Sequence, residues 1–263
     1  MDPRHPIDPH IREQIMACLA SIEAEHGVRV LYACESGSRA WGFPSADSDY
    51  DVRFIYVRPR DWYLQIDVER HRDVIERPID DVLDVSGWDL RKALQLFRKS
   101  NPPLLEWLQS PVVYREDEGV MAEFRALIPS CFSPKAAAHH YWHMARGNFR
   151  DYLKHDRVRT KKYFYVLRPL LAVRWIEAGL GAVPTTFETL VGRLLAPGAL
   201  RTAIEALVEA KRHGLERAQG PRIEAISAFI EAEMARLEAS GIDAPPAQPD
   251  AERLNIFFRS VLR

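Results

Sequence analysis

Apolar residues along this chain follow two different periods. Asp8-Pro9 carries a helix start, with Asp as N-cap and Pro in the first turn. Ile11, Ile15, Leu19 and Ile22 then recur at helical spacing until His26-Gly27 ends the run. Val28 to Ala33 predicts a short buried strand and Glu35 to Ser38 a turn. A second strand fits Tyr50 to Val57, closed by Pro59. A third short strand fits Val82 to Val85, and Leu90, Ala93, Leu94 and Phe97 return to helix before Asn101-Pro102-Pro103 breaks it. From Ser133-Pro134 onward the strand signal is gone. Helical spacing runs through residues 141–153, 163–176, 200–208, 223–234 and 254–262, punctuated by Gly and Pro clusters. The pattern predicts a helix-flanked, short-stranded α/β or α+β domain over residues 1–132. An all-helical domain follows over residues 133–263, with Asp243 to Pro249 as a linker before the last helix.

Composition narrows the class. At 47% hydrophobic residues over 263 positions, the chain has the content of packed domains and not of a disordered tail. Three cysteines (Cys18, Cys34, Cys131) are too few for a disulfide scaffold, and without a CxxC pair they read as reduced thiols with no metal role. Lys and Arg total 36 against 37 Asp and Glu, so any phosphate-rich partner must be met by a local concentration of charge. No apolar run behind Met1 reads as a secretory signal, and none approaches the roughly 18 residues that span a bilayer. A cytoplasmic protein without a membrane partner is expected.

The chemistry concentrates in Ser36-Gly37-Ser38-Arg39-Ala40-Trp41-Gly42-Phe43 and, shortly after, Asp47-Ser48-Asp49-Tyr50-Asp51-Val52. A strand that runs into Gly-Ser can turn sharply and aim backbone N–H groups and a hydroxyl at a phosphate. Asp49 and Asp51 are two apart at the start of a strand, so both project from one face. Carboxylates so close repel unless a cation sits between them. A hard divalent ion is the natural compensation, and one shared with nucleotide phosphates would be Mg²⁺. An EF-hand would space acids similarly from Asp47, but it needs Gly where Val52-Arg53 follows.

Gly-Ser followed ten residues later by Asp-x-Asp resembles the signature of the DNA polymerase β nucleotidyltransferase superfamily. The wider string, Glu35 to Phe43 and Ser48 to Arg53, is similar to bacterial nucleotidyltransferases of the RNA repair pathway DNA polymerase β family. So are Asp84 to Lys92 and Ser100 to Leu108, and the resemblance covers about residues 10–180. It implies an α+β catalytic domain with a short mixed sheet and flanking helices, followed by a helical domain that closes over the nucleotide. A third acid is needed on a neighbouring strand. Asp84 is the choice, because it lies in the apolar run Val82 to Val85, where an unpaired carboxylate is costly without a metal. Asp89 has a competing task as N-cap of the helix from Leu90, and Asp81 is the fallback if strand register differs.

The expected chemistry places one Mg²⁺ on Asp49, Asp51 and Asp84, activating an acceptor hydroxyl. A second, on Asp49 and Asp51, grips the triphosphate about 4 Å away, and Mn²⁺ is an acceptable substitute. Gly37 and Ser38 are expected on the β/γ-phosphates, with Arg39 as a candidate contact. From His143 to Arg174, nine Lys or Arg face two acids, Asp151 and Asp156, for a net +7 (nine minus two). Phe149, Tyr152, Tyr163, Phe164 and Tyr165 are interleaved; basic groups bind phosphates and rings can stack bases, although helical spacing sends most such rings to a core. Lys161, Lys162 and Arg168 are the expected triphosphate contacts. His139 and His143, at i and i+4 without a nearby acid, are not read as a metal site. Of the tryptophans, Trp41 beside Gly42 is the best placed to stack on a base. The sequence thus predicts an NTP-dependent nucleotidyltransferase acting on an RNA 3′ end such as that of tRNA. Transfer to a protein or small-molecule hydroxyl, and a non-catalytic nucleotide- or RNA-binding domain, stay open as alternatives. Base choice and oligomeric state are not legible.

Overall fold

The computed structural model describes residues 5–79, 82–155, 157–214, 219–247 and 249–263. By contacts the chain divides into two compact units. The first comprises Met1–Ala40, Asp49–Phe132 and Gln248–Arg263; the second comprises Trp41–Ser48 and Ser133–Ala247.

The first unit is built on a five-stranded sheet. Its strands are β1 (Arg29–Glu35), β2 (Tyr50–Val57), β3 (Val74–Glu76), β4 (Leu83–Asp89) and β5 (Val113–Glu116), in the order β3-β4-β2-β1-β5. Only β2 and β4 pair in parallel, so the sheet is mixed. Alternation along β2 decides the two faces. Val52, Phe54 and Tyr56 join Ile15, Leu19 and Ile22 of helix α1 (Pro9–His26) in one core. Ile55 and Val57 point the other way, into a second core with Leu90, Leu94 and Phe97 of α4 (Leu90–Arg98). Short helices α2 (Gly37–Trp41) and α3 (Arg60–Tyr63) lie in the chain between α1 and α4. Three further helices, α5 (Pro102–Leu108), α6 (Glu118–Ala126) and α7 (Ile128–Cys131), supply Leu104, Trp107, Met121, Phe124 and Cys131 to that second core.

Local chemistry explains the boundaries. Asp8 accepts hydrogen bonds from His10 and Ile11 N–H at the start of α1, and Asp89 accepts one from Arg91 N–H at the start of α4. The strand expected over Val82 to Val85 runs on to Asp89. Gly87 makes that possible, since a Cβ there would lie 2.2 Å from the Phe54 ring of the neighbouring strand.

The second unit contains α8 (Pro134–Tyr152), α9 (Lys161–Glu177), α10 (Phe187–Leu194), α11 (Ala199–Arg212) and α12 (Glu224–Ser240). Helix α9 is buried almost all round from Val166 to Val173 and packs against α8, α10 and α12. The Trp41–Ser48 segment seats Phe43 on Phe164 of α9, with ring centroids 4.4 Å apart. The expectation of helix alone needs one correction. Two three-residue strands, β6 (Arg157–Arg159) and β7 (Gln219–Pro221), pair in an antiparallel ribbon too short to show alternation in sequence. The last helix, α13 (Ala251–Val261), also departs from the expected domain over residues 133–263, because Leu254 and Phe257 are buried in the second core of the first unit. Among the described residues, no helix is long and apolar enough to cross a membrane.

Candidate active site

The turn after β1 is built for close approach. Ser36 N–H donates to the Asp51 carbonyl at 2.8 Å, which ties the turn to the start of β2. Gly37 follows with φ of 57°, and a Cβ there would sit 2.0 Å from Asp51 Oδ2. A side chain at this position is therefore excluded twice, by backbone conformation and by the carboxylate against it. Ser38 is half-buried in the first turn of α2.

Parallel pairing of β2 and β4 sets Asp51 directly opposite Asp84, and Arg53 opposite Ser86. Arg53, two residues after Asp51, shares its face. Its guanidinium donates to Asp84 Oδ2 at 2.7 Å, to the Asp84 carbonyl at 2.8 Å and to Asp51 Oδ1 at 3.3 Å. Both carboxylates thus converge on one positive charge. Asp49 stands two residues before Asp51 on the same period and is exposed. Among the described residues, no group of three or more His, Cys, Asp or Glu is assembled to hold a metal ion. In this arrangement the compensating cation is Arg53. The donor set nevertheless suits a hard dication: Asp51 and Asp84 already turn oxygens toward a shared cation, and Asp49 offers a further free-standing carboxylate. Asp81, the fallback third acid, and Asp156 of the basic span lie outside the described residues.

Behind this pair is a buried acid with no role in the sequence reading. Glu35 is fully buried at the end of β1. Its Oε1 accepts the Asp51 N–H at 2.8 Å, and its Oε2 accepts a hydrogen bond from the Tyr114 hydroxyl. Burial pushes the Glu35 carboxyl up to about 7, against the lowering effect of those two hydrogen bonds. Glu35 and Arg53 were both visible in sequence. The signals were the position before the Gly-Ser turn and the continuing two-residue period after Asp49 and Asp51.

Two of the expected phosphate contacts are buried. Arg39 is buried, its guanidinium 3.7 Å from the Tyr50 ring centroid, and it donates to the Pro6 and Asp49 carbonyls. Arg168 is also buried, over the Trp41 ring at 5.0 Å, with Nη2 donating to the Thr185 carbonyl at 3.2 Å. Both guanidiniums are thus held on the protein's own backbone carbonyls. Lys161 is exposed at the start of α9. Lys162 is half-buried, its ammonium 3.8 Å from the Tyr152 ring centroid and 4.8 Å from that of Tyr165. Trp41 meets Tyr165 edge-on at 6.3 Å. The carboxylates, Gly37, Ser38 and Arg39 lie in the first unit, and Lys161, Lys162 and Arg168 sit along α9 of the second.

Comparison with known proteins gives similarities of three kinds. The RNA repair pathway DNA polymerase beta family matches residues 11–260. A protein of Bacillus subtilis (strain 168) described as "Uncharacterized protein YcgL" is 52% identical over 227 residues, covering 86% of each chain. A crystal structure of a nucleotidyltransferase-like protein from Exiguobacterium sibiricum 255-15 aligns with a TM-score of 0.32 at 10% identity. That alignment covers 94% of this chain and 80% of that one, and likeness at this level carries no inference about chemistry.

Proposed function

This chain belongs to the RNA repair pathway DNA polymerase β family and is a nucleotidyltransferase; on that premise, we propose that it transfers a nucleoside monophosphate from an NTP to the hydroxyl of an RNA 3′ end, such as that of tRNA. One observation supports the reading above all others: Asp51 and Asp84 face each other in register on parallel strands, under a glycine turn that admits no side chain. Asp49, Asp51 and Asp84 would hold Mg²⁺, or Mn²⁺ in its place. Bound there, the divalent ions would supply Lewis-acid charge that acidifies the acceptor hydroxyl and neutralises the leaving pyrophosphate.

The remaining work falls to the chain itself. The Gly37-Ser38 turn would receive the β/γ-phosphates on backbone N–H and hydroxyl donors. Glu35 fixes the backbone of Asp51 through the 2.8 Å hydrogen bond. Arg53 holds the two carboxylates together until they are loaded. The acceptor oxygen then bonds to the α-phosphorus, the α–β bridging bond breaks toward pyrophosphate, and the hydroxyl proton passes to solvent. No side-chain nucleophile is required. An RNA acceptor is supported by the family's description and by the net +7 between His143 and Arg174 (nine minus two).

The test incubates the protein with total RNA, Mg²⁺ and each α-labelled NTP in turn. Label in a defined RNA band is expected, with loss of at least about 100-fold in Asp51→Asn or Asp49→Asn. Label appearing on protein and none on RNA would overturn the RNA reading.

A further inference from the structure

Helix α8 carries a basic stripe that the proposed reaction centre does not use. His143, Arg146 and Arg150 recur about one turn apart on one face, roughly 10 Å along the axis at about 1.5 Å per residue, and Lys154, just past the C-cap Leu153, lines the same groove. This face lines a groove of about 660 Å³ whose opposite wall is α12, with Met234, Ala235, Glu231 and Glu238. The cations are available. Arg146 and Arg150 side chains are 62% and 72% exposed. Arg146 reaches Glu238 only at 4.0 Å, Arg150 pairs with its neighbour Asp151 at 2.8 Å, and Lys154 lies 5.9 Å from the Phe149 ring centroid. Across the groove, Glu231 is already taken by Arg222.

Gly147 supplies an independent observation. It lies inside the 19-residue α8, where glycine costs helix stability, and a Cβ added there would meet nothing within 4 Å. Packing therefore gives no reason for glycine at this position. Its bare backbone lies on the groove face, midway along the basic stripe, and leaves the groove open there.

We propose that the α8–α12 groove is a docking track for single-stranded RNA, its phosphates on Arg146, Arg150 and Lys154 and a base against Phe149. The spacing carries the assignment. Arg146 and Arg150 a turn apart, with Lys154 beyond the helix end along the same groove, suit a chain of phosphates, whereas a single nucleotide would engage one or two of them, and an aromatic ring in the wall accepts any base. This deepens the proposed function by naming the surface that would hold the acceptor, and it rests on that reading for the identity of the polyanion.

The test measures binding of a fluorescein-labelled single-stranded RNA by anisotropy across a salt series. Arg150→Glu with Lys154→Glu, and separately Gly147→Glu, are expected to weaken binding at least tenfold with unchanged melting temperatures. Two lost phosphate contacts should also make the slope of log K against log salt shallower by about 1.4. A charge-matched control away from the groove, Arg193→Glu with Arg201→Glu, should stay within twofold. Unchanged binding in the groove variants, equal loss in the control, or no RNA binding by the unaltered chain overturns the proposal. Label transfer separates the two ideas. RNA labelling that survives in the groove variants sinks the groove alone, and RNA bound in the groove but never labelled sinks the acceptor reading alone.

Discussion

At Gly37 the chain takes a positive φ of 57° with Asp51 packed against it, which makes this position more sensitive than its size suggests. Gly37→Ala is expected to cost about 1–2 kcal/mol of stability in urea titration, from the left-handed backbone alone. Because the new Cβ must also displace the Asp51 carboxylate, nucleotidyl transfer is expected to fall about 100-fold, read in a single-turnover assay. Glu35 makes a second prediction. Its carboxyl moves from an ordinary 4.5 to about 7 in the folded chain. A raised folded value means that its contribution is full below pH of about 4.5 and is lost as pH rises through 7. At roughly 1.4 kcal/mol per unit, that loss is on the order of 3 kcal/mol. Glu35→Gln keeps an acceptor for the Asp51 N–H and cannot ionise. Its melting temperature should therefore gain on the unaltered protein between pH 5 and pH 8, and parallel melting curves would refute the assignment. The motif residues were legible in sequence because turn chemistry and the two-residue period are local. Burial is not local: a basic residue near a Gly turn, such as Arg39, looks the same in sequence whether it faces solvent or the protein's own carbonyls.

Among the elements, α13 shows what periodicity can and cannot tell. Leu254 and Phe257 mark an apolar face at helical spacing, which is enough to predict the helix. Nothing in that spacing says which core the face covers. Phe257 proves to be 1% exposed, 5.2 Å from the Phe124 ring centroid in the first unit. Phe257→Ala is expected to destabilise that unit by about 3–5 kcal/mol, measured by urea unfolding, because the surrounding core can collapse only in part. If the helix belonged with residues 133–247 instead, hydrogen exchange in β1 and β2 would be unaffected by this change. The strands divide by length. β1 and β2, at seven and eight residues, are long enough for their pattern to register, and the sequence predicts Tyr50 to Val57 with the bounds the structure has. β3, β5, β6 and β7, at three or four residues, are held by their partners' hydrogen bonds and are too short for an alternation to register.

For the whole molecule, near-neutrality is a sum of opposites. Divided at the bounds of the two units, the 36 basic and 37 acidic residues become 19 − 24 = −5 in the first and 17 − 13 = +4 in the second. The carboxylate pair lies in the acidic unit and the basic groove in the other, so the −1 total conceals the charge each proposed ligand requires. Family, fold class and the acidic motif could be read from the amino-acid sequence by itself, because they are written in residue types at short fixed spacings. Tertiary structure alone decided four further things. It set Asp84 opposite Asp51 through a parallel pairing thirty-odd residues apart, put Arg53 between them, buried Glu35 behind them, and returned the last helix to the first unit's core. Each depends on which surfaces meet after the chain folds back on itself, and local spacing along a sequence carries no record of that.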